Sequence, residues 1–481
     1  MSYLLMIQAS LFTDVVSAAN TALWGSILIV LLIGLGLFFT IKSNFVQFRY
    51  FKEMFRLLTD TSGASNEAGQ ISPLQAFCIS TASRVGTGNI AGVAMAVALG
   101  GPGSVFWMWV MALVGGASSF VESTLAQIYK VKDEEGAFRG GPAYYIEKGL
   151  KSRGLGIFFS ILITITFGFI FNAVQSNTIA ASFGTAFGFD KTIVGLVLMA
   201  LTAVVILGGV QRIAKVSEII VPILATAYVL VAIVVVVLNI TEIPQMLSLI
   251  VSEAFNFSAF ASGAFGTMFI QGVKRGLFSN EAGMGSAPNA AATATVTHPV
   301  KQGLIQTLGV FTDTLLICSA TAFIILLSDN YATLAGEGVQ LTQLALSSHI
   351  GDVGNIFIAI CILLFAFSSI IGNYYYGESN IEFLSTNRLY LMAYRLIVIL
   401  MVGVGALVKV QIVWDLADLF MGIMAIVNLY AIFRLSPIAF AALADYNKQK
   451  KAGIKDPIFK LQNIKDSKNQ NQLDDVSLWQ D

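Results

Sequence analysis

The chain is built from long apolar runs, each close to the length of a helix that crosses a bilayer. A hydrocarbon core about 30 Å thick requires roughly 20 apolar residues per helix. The stretches that meet this requirement lie near 22–41, 71–99, 103–128, 154–184, 192–208, 217–239, 259–288, 303–328, 353–379, 390–408 and 411–433. Only 12% of the residues are charged, whereas soluble domains carry about 25%. The sequence therefore predicts an all-α polytopic membrane protein with about 11 transmembrane helices in a lipid bilayer.

Composition argues against several other classes of protein. The 28 Lys and Arg residues are balanced by 28 Asp and Glu residues, so nucleic acid is not a predicted partner. With two histidines and no Gly-x-Ser-x-Gly elbow or nucleotide-binding loop, the chain shows no motif for catalysis. We therefore predict no enzymatic activity, no organic cofactor and no obligate protein partner. The cysteines, Cys78, Cys318 and Cys361, lie in apolar runs and are expected to be inert packing residues.

Lys and Arg are distributed unevenly among the connections. They cluster after the first, third and fifth spans, whereas 184–191, 240–258 and 329–352 contain one Lys between them, Lys191. Short positively charged loops stay in the cytoplasm, so we predict a cell-membrane protein with its N-terminus outside and its C-terminus cytoplasmic. Residues 1–20 contain no Lys or Arg, and a secretory signal is therefore not predicted.

Three segments outside the spans have their own character. Segment 45–58 mixes aromatic residues with cations and predicts an interfacial helix, with a plain linker as the alternative. Loop 140–150 predicts a short re-entrant or membrane-surface helix. From Asp445 onward the chain is rich in Lys, Asn, Gln and Asp and predicts a largely disordered cytoplasmic tail. The N-terminal unit is 1–70 and the tail unit is 435–481.

The remaining spans divide into two halves of five, 71–240 and 241–434. An odd number of spans per half inverts the second half relative to the first. Each half opens with its most Gly-interrupted span, which contains VGTGNIAG at 85–92 in one case and SGAFGTMFIQGVKRG at 262–276 in the other. Paired broken helices that begin inverted halves are the sequence pattern of a secondary transporter, with its binding site at the breaks.

The first candidate break surrounds Thr87. Each of its neighbours, Gly86 and Gly88, costs about 1 kcal/mol in a helix, and in lipid an opened backbone needs partners inside the protein. Freed N–H groups of one half-helix can hold a carboxylate, and freed carbonyls of the other can hold a cation. Close helix packing through glycine is the alternative. Thr87 and Asn89 favour a ligand site because they add oxygen atoms that packing does not require.

Adjacent hydroxyls, Ser368 and Ser369, lie within the otherwise apolar span 353–379. Combined with carbonyls of the first broken helix, they would form an uncharged, all-oxygen site. Such a site suits Na⁺ better than a divalent ion, which usually requires several carboxylates. The alternative is that both hydroxyls bond back to their own helix.

Span 154–184 places three amides, Asn172, Gln175 and Asn177, at membrane depth. We expect at least one of them to contact substrate, and interhelical hydrogen bonds are the alternative for the others. Phe167 and Phe171 lie one helical turn apart. They are candidates for an apolar wall of the site, or for lipid-facing packing.

Charged residues at membrane depth are candidates for function. Arg84 directly precedes the first break and is predicted to form a structural or gating ion pair with Glu122 or Glu281. Lys274 and Arg275 are placed toward the cytoplasmic end of their span, as an inner gate or a snorkelling anchor.

Four further carboxylates lie in or near the spans. Asp313 is interpreted either as a proton or cation relay or as a satisfied helix-packing carboxylate. Glu378, Asp415 and Asp418 fall near span ends and are predicted to be interfacial.

Four long motifs in the chain resemble those of a known protein family. They are GTGNIAGVA at 86–94, GGPGSVFWMW at 100–109, RGGPAYYIEKGL at 139–150 and KRGLFSNEAGMGSAPNAAATA at 274–294. Over roughly 1–445 the chain resembles the alanine or glycine:cation symporter family. The resemblance implies a leucine-transporter-type fold, in which one extra N-terminal helix precedes a ten-helix core. It also implies Na⁺ as the driving ion and a small neutral amino acid as cargo.

The resemblance further implies residue roles. Thr87, Gly88 and Asn89 would hold the carboxylate of the amino acid. Carbonyls for its ammonium group would come from a break at Ile270, Gln271, Gly272 and Val273. The Na⁺ ligands would be the carbonyls of Ala82, Val85 and Phe365 with the hydroxyls of Ser368 and Ser369. The predicted function is Na⁺-coupled symport of alanine or glycine into the cell by alternating access, with an H⁺-coupled symporter and a channel or facilitator as alternatives.

Overall fold

A computed structural model describes residues 2–63, 70–133, 136–256, 263–328, 338–465 and 469–479. The helices of the first part are α1 (Ser2–Ala22, continued by Leu23–Ile27 and Leu28–Lys42), α2 (Val46–Arg49), α3 (Phe51–Leu58), α4 (Pro73–Arg84), α5 (Gly88–Gly100), α6 (Gly103–Ile128), α7 (Pro142–Leu150), α8 (Arg153–Phe187), α9 (Lys191–Ile206) and α10 (Gly209–Leu238). One antiparallel hairpin, β1 (Val131–Lys132) and β2 (Phe138–Arg139), precedes α7.

The second part of the chain is also helical. Its helices are α11 (Ile243–Ala254), α12 (Ala264–Asn280), α13 (Ala287–Thr293), α14 (Pro299–Leu326), α15 (Val339–Ile350), α16 (Asp352–Leu384), α17 (Arg388–Leu407), α18 (Val410–Lys451) and α19 (Gln470–Leu473). Within the described residues, eight helices are long and apolar enough to cross a membrane. The predicted class, an all-α polytopic membrane protein, is confirmed. The pairs α4/α5 and α12/α13 are the two broken spans.

The first break follows from local chemistry at both of its sides. Helix α4 begins at a capping box in which the Ser72 hydroxyl accepts from the Gln75 N–H at 3.1 Å. It ends at Val85, whose ψ of 88° is not helical. Beyond it, the Gly86 N–H donates to the Asn89 side-chain oxygen at 2.9 Å. The predicted break at VGTGN is therefore confirmed, and Asn89 caps the freed backbone.

The second break lies at 281–286 instead of 270–273, so that part of the prediction is wrong. Helix α12 is continuous until Glu281, which has a φ of 58°. Gly283 and Gly285 follow with φ values of 83° and 85°, a left-handed backbone that glycine adopts without steric cost. Sequence reasoning missed this stretch because it weighed the glycine-rich segment before it more heavily.

Gly272, in the middle of α12, serves helix packing. A Cβ on Gly272 would lie 2.5 Å from the Ser104 carbonyl oxygen and 2.6 Å from Trp107 Cβ, so glycine is what allows α12 to approach α6. Ile270 and Gln271 are half-buried on the same unbroken helix. None of these three residues belongs to a break.

The segment after α1 forms two short helices, α2 and α3, in place of a plain linker. Met54 and Leu57 are buried against the bundle, whereas Phe48, Phe51 and Phe55 are exposed. An amphipathic helix of this kind suits a membrane surface. The predicted short helix within loop 140–150 also forms, as α7.

The C-terminal tail is folded against the helical bundle, so the prediction of a largely disordered tail from Asp445 is wrong for the described residues. Helix α18 continues to Lys451. Beyond it, the Phe459 N–H donates to the Thr297 carbonyl at 2.9 Å, and the Trp479 indole donates to the Gln127 carbonyl at 3.0 Å. Large apolar side chains such as Phe459 anchor this segment. The prediction of disorder rested on the average composition of the tail, which is polar despite these few residues.

Glu53 connects α3 to the end of α18. It accepts a hydrogen bond from Tyr446 at 2.7 Å and pairs with Lys450 at 3.0 Å and Arg56 at 2.7 Å. Partial burial raises the pKa of the Glu53 carboxyl, but the hydrogen bonds from Arg56, Tyr446 and Lys450 outweigh it and lower the pKa to about 2.

This lowered pKa predicts a pH-dependent contribution to stability. A carboxyl whose pKa is lower in the folded protein stabilises it above the unfolded value, about 4.3, and the contribution is lost as pH falls toward the folded value. Glu53→Gln should destabilise by about 1 kcal/mol at pH 7, because the cluster is partly exposed. Thermal unfolding in detergent, measured between pH 7 and 3, should show that the difference in stability between Glu53→Gln and the wild type becomes smaller as the pH falls. Glu242→Gln, at an exposed carboxylate, is the control, and a pH-independent deficit would contradict the assignment.

Candidate substrate and cation site

The two breaks are joined by one buried carboxylate. Ser83, at the end of α4, places its Oγ 2.8 Å from Glu281 Oε1, and the Ser286 hydroxyl donates to Glu281 Oε2 at 2.5 Å. Ser83 Oγ also lies 2.7 Å from Asn373 Oδ1 on α16. Glu281, predicted as a gating residue, therefore sits at the point where α4, the second break and α16 meet.

A second buried carboxylate, that of Glu122, binds the backbone of the second break. The Gly283 and Gly285 N–H groups donate to the two oxygens of Glu122 at 3.1 and 3.2 Å. Asn428, on α18, donates to Glu122 at 2.7 Å and to the Gly283 carbonyl at 2.9 Å. The backbone groups freed by the break are thus satisfied by side chains from α6 and α18.

The oxygen atoms predicted for the cation lie together. Ser369 Oγ lies 2.9 Å from the Ala82 carbonyl oxygen, 3.3 Å from that of Val85 and 3.1 Å from that of Phe365. Ser368 Oγ lies 2.8 Å from the Phe365 oxygen and 3.5 Å from that of Ala82. Gly86 allows this approach, since a Cβ there would lie 2.2 Å from Ser369 Oγ.

These oxygens fit a monovalent cation chemically. All are carbonyl or hydroxyl oxygens, and both serines are buried, which matches the uncharged oxygen set expected for Na⁺. A hydroxyl carries one hydrogen, so Ser369 cannot donate to all three neighbouring carbonyls at once. The remaining lone pairs are available to an ion.

The side-chain amide of Gln175 contacts the backbone of the first break. The Thr87 N–H donates to Gln175 Oε1 at 3.0 Å, and the Thr87 hydroxyl is buried without a hydrogen-bond partner among the described residues. Asn89 donates to Asp313 Oδ1 at 2.6 Å. Of the residues predicted to hold carboxylate, Thr87 retains a free polar group, whereas the Asn89 amide is engaged within the protein.

Asp313 accepts hydrogen bonds beside both broken helices. Its donors are Asn89 at 2.6 Å, and Ser279 and Thr314 at 2.8 Å each. Ser279 belongs to the last turn of α12, so Asp313 links α5 to α12 from α14. This arrangement satisfies the carboxylate, as the packing interpretation of Asp313 expects, and it also places an acidic group next to the first break.

Aromatic rings form a continuous wall along the site. Phe167 and Phe171 lie 4.6 Å apart, Phe171 and Phe278 lie 4.7 Å apart, and Phe278 and Trp414 lie 4.8 Å apart, all measured between ring centroids. A Cβ on Gly88 would lie 3.0 Å from the Phe278 ring, so the wall reaches the first break. Sequence reasoning found the rings of α8 but missed Phe278 and Trp414, although Phe278 lies within a family motif.

The other two amides of α8 make contacts within the protein. Asn172 donates to the Gly168 carbonyl at 3.1 Å and accepts from Asn373 at 3.2 Å. Asn177 donates to carbonyls near the end of α17 at 2.9 and 2.7 Å. Gln175 is therefore the one of the three whose described contacts include the break.

Arg84 does not form the predicted ion pair. No carboxylate of the described residues lies within 4.0 Å of it, and its guanidinium instead donates to Gln306 Oε1 at 3.2 Å. Glu122 and Glu281 are already engaged by the second break and by serines. Arg84 occupies a notch at Gly309, where a Cβ would lie 2.2 Å from its guanidinium.

Lys274 and Arg275 share a partner that was predicted to be interfacial. Asp418 is buried and lies 3.1 Å from the Lys274 ammonium and 2.7 Å from the Arg275 guanidinium. The Arg275 guanidinium also lies over the ring of Trp414, and the Lys274 ammonium lies over the ring of Trp24 in α1. Both cations lie in α12, the half-helix that precedes the second break. Their assignment to an inner gate or a snorkelling anchor stays a prediction.

The other two carboxylates predicted to be interfacial differ from each other. Glu378 is buried and accepts from Tyr374 at 2.6 Å and from Arg395 at 2.8 Å. Asp415 is half-buried and accepts from Gln411 at 2.9 Å. Only Asp415 resembles the expected environment.

Interrupted helices that meet at a buried polar site within an apolar bundle define a membrane transporter of the secondary type. The fold agrees with solved structures, since the chain is similar to the crystal structure of MhsT in complex with L-phenylalanine. The TM-score is 0.56, with 15% identity over 86% of this chain and 96% of that one. The particular family follows from sequence comparison. The chain belongs to the sodium:alanine symporter family, whose profile matches residues 9–461.

Relatives cover nearly the whole chain. It is 59% identical over 445 residues to the probable sodium/glutamine symporter GlnT of Bacillus subtilis (strain 168), covering 92% of each chain. It is 44% identical over 462 residues to the putative sodium/proton-dependent alanine carrier protein YrbD of the same organism, covering 93% of this chain and 94% of the relative. The chain is thus a multi-pass membrane protein of a family of sodium-coupled amino-acid symporters.

The role of Glu122 predicts a defect in both stability and transport. In Glu122→Gln an amide NH₂ would face an N–H donor whichever way it turned, because both carboxylate oxygens accept from donors. An unsatisfied buried donor costs about 1–3 kcal/mol. The melting temperature in detergent and the initial rate of uptake in proteoliposomes should both fall relative to Glu242→Gln, a matched change at an exposed carboxylate. A melting temperature equal to that of the control would refute this role.

Proposed function

We propose that this protein carries a small neutral amino acid into the cell together with Na⁺ by alternating access. The observation that supports this most directly is the cluster of carbonyl and hydroxyl oxygens shared by α4 and α16 at the first break. An ion held there contacts both helices, so its binding energy depends on their relative position. Coupling of this kind is reciprocal, because each ligand raises the affinity for the other by the same factor.

Alanine and glycine are the proposed cargo. The space beside Gly88 is narrow, since the Phe278 ring lies against it and Phe171 lies behind Phe278. A longer side chain requires these rings to move. Glutamine, the substrate named for the relative GlnT, is the alternative cargo, and it differs from alanine in both length and hydrogen bonding.

A proton is the second candidate for the coupling ion. Asp313 is a buried carboxylate that contacts both broken helices, and the relative YrbD is named as sodium/proton-dependent. A proton on Asp313 would replace one accepted hydrogen bond by a donated one and so weaken its contact with Asn89 or Ser279. Na⁺ remains the favoured ion because its proposed site needs no change of charge on the protein.

Uptake into proteoliposomes tests these choices together. Radiolabelled alanine, glycine and glutamine should be compared under an inward Na⁺ gradient, an inward proton gradient without Na⁺, and neither. We expect alanine and glycine to accumulate only with the Na⁺ gradient, and accumulation to vanish when an ionophore collapses it. Equal uptake after collapse would indicate a facilitator or channel, and accumulation driven by protons alone would favour the second candidate.

The ion site can be separated from the amino-acid site by mutation. Ser369→Ala removes one of the neutral oxygens, so the Na⁺ concentration for half-maximal uptake should rise about tenfold, equivalent to about 1.4 kcal/mol. Maximal uptake should recover at high Na⁺, whereas Thr87→Val, which removes the unpartnered hydroxyl at the first break, should weaken alanine binding even at saturating Na⁺. Ser379→Ala, elsewhere on α16, is the control, and an unchanged Na⁺ curve in Ser369→Ala would return this hydroxyl to the backbone-bonding alternative.

A further inference from the structure

A half-open cavity of about 380 Å³ lies at one end of the bundle, among α5, α8, α15 and the connection between α17 and α18. The charge pattern assigns this end to the outside of the cell. Binding pockets for small molecules typically measure about 300–1,000 Å³, so one amino acid fits. Apolar side chains such as Met95 and Leu407 form part of the lining.

Two lysines line this cavity. These are Lys191, at the start of α9, and Lys409, just before α18. Within the described ranges, no carboxylate lies within 4.0 Å of either ammonium group. Two ammonium groups without acidic partners beside one concave surface provide a complementary environment for a carboxylate.

A hydrogen-bond acceptor lies in the same lining. The Asn177 NH₂ group donates to the Gly405 and Val408 carbonyls at 2.9 and 2.7 Å, which fixes the orientation of the amide. Its Oδ1 accepts no hydrogen bond from the part of the chain that the structure describes, although Asn177 borders the cavity. This oxygen can accept from an ammonium group.

The cavity reaches the aromatic wall of the central site. Trp414 lines it and packs on Phe278, and the Phe278 ring lies against Gly88 at the first break. An amino acid in the cavity is therefore separated from the break by the rings of Trp414 and Phe278.

We infer that this cavity is an outer docking site for the zwitterionic amino acid. Lys191 and Lys409 hold its carboxylate and Asn177 Oδ1 its ammonium group, before Trp414 and Phe278 move to admit it. The inference deepens the proposed function and rests on it. Docking in the cavity requires no Na⁺, because the proposed Na⁺ oxygens lie at the first break, beyond the aromatic wall.

Kinetics provide the first test. In the double variant Lys191→Gln with Lys409→Gln, the alanine concentration for half-maximal uptake should rise about threefold to tenfold, while maximal uptake stays the same. Lys409→Arg should retain most of the wild-type value because it keeps the charge. Lys448→Gln, at an exposed lysine of the opposite end, is the control. An unchanged half-maximal concentration in the double variant would overturn the inference.

Site-specific labelling provides the second test. Gln411 is exposed and lines the cavity, and the three native cysteines are buried, so Gln411→Cys can be labelled selectively with a membrane-impermeant thiol reagent. Alanine should slow this labelling in Na⁺-free buffer, and the protection should be lost when Lys409→Gln is added. Protection that appears only with Na⁺ would overturn the docking site. Failure of the proposed function differs, since Na⁺-driven uptake would then be absent in the wild type while Na⁺-free protection persisted.

Discussion

The second break depends on one buried interaction, the acceptance of two backbone N–H groups by the Glu122 carboxylate. A helix opened inside a lipid bilayer cannot rely on water, so each freed donor and acceptor needs a partner within the protein. Gly283 and Gly285 supply the left-handed backbone, and Glu122 with Asn428 supplies the partners. Since those two side chains come from α6 and α18, the break exists only when both helices are packed in place.

Charged and uncharged oxygens are separated at the centre of the molecule. The buried carboxylates Glu122, Glu281 and Asp313 are engaged by backbone N–H groups, hydroxyls and amides. The oxygens proposed for Na⁺ are neutral, and they are backbone carbonyls of α4, Val85 and α16 together with two serine hydroxyls of α16. A carboxylate would bind the ion more strongly but would carry a large desolvation cost without it. Neutral ligands allow the ion to bind and leave, as a transport cycle requires.

Several features could be read from the sequence because they depend on local residues. Apolar runs of bilayer length predicted the spans, and Gly86 with Gly88 predicted the first break. The second break was misplaced because glycine has two uses. Gly272 permits close helix packing, whereas Gly283 permits a left-handed backbone, and only the neighbours of each residue distinguish these uses. The predicted ion-pair partners of Arg84 and the predicted interfacial position of Asp418 were wrong for a related reason, since ion pairing depends on which charged residues the packed helices bring together.

The sequence by itself determined that this chain is a bundle of membrane-spanning helices with one break at VGTGN, because helix length, hydrophobicity and glycine content act over neighbouring residues. It also determined the family, because the motifs are long and contiguous. Only the tertiary structure decided the position of the second break, the burial of Asp418 between Lys274 and Arg275, and the aromatic path from Trp414 toward Gly88. Each of these depends on contacts between residues far apart in the chain, and such contacts exist only after the helices have packed.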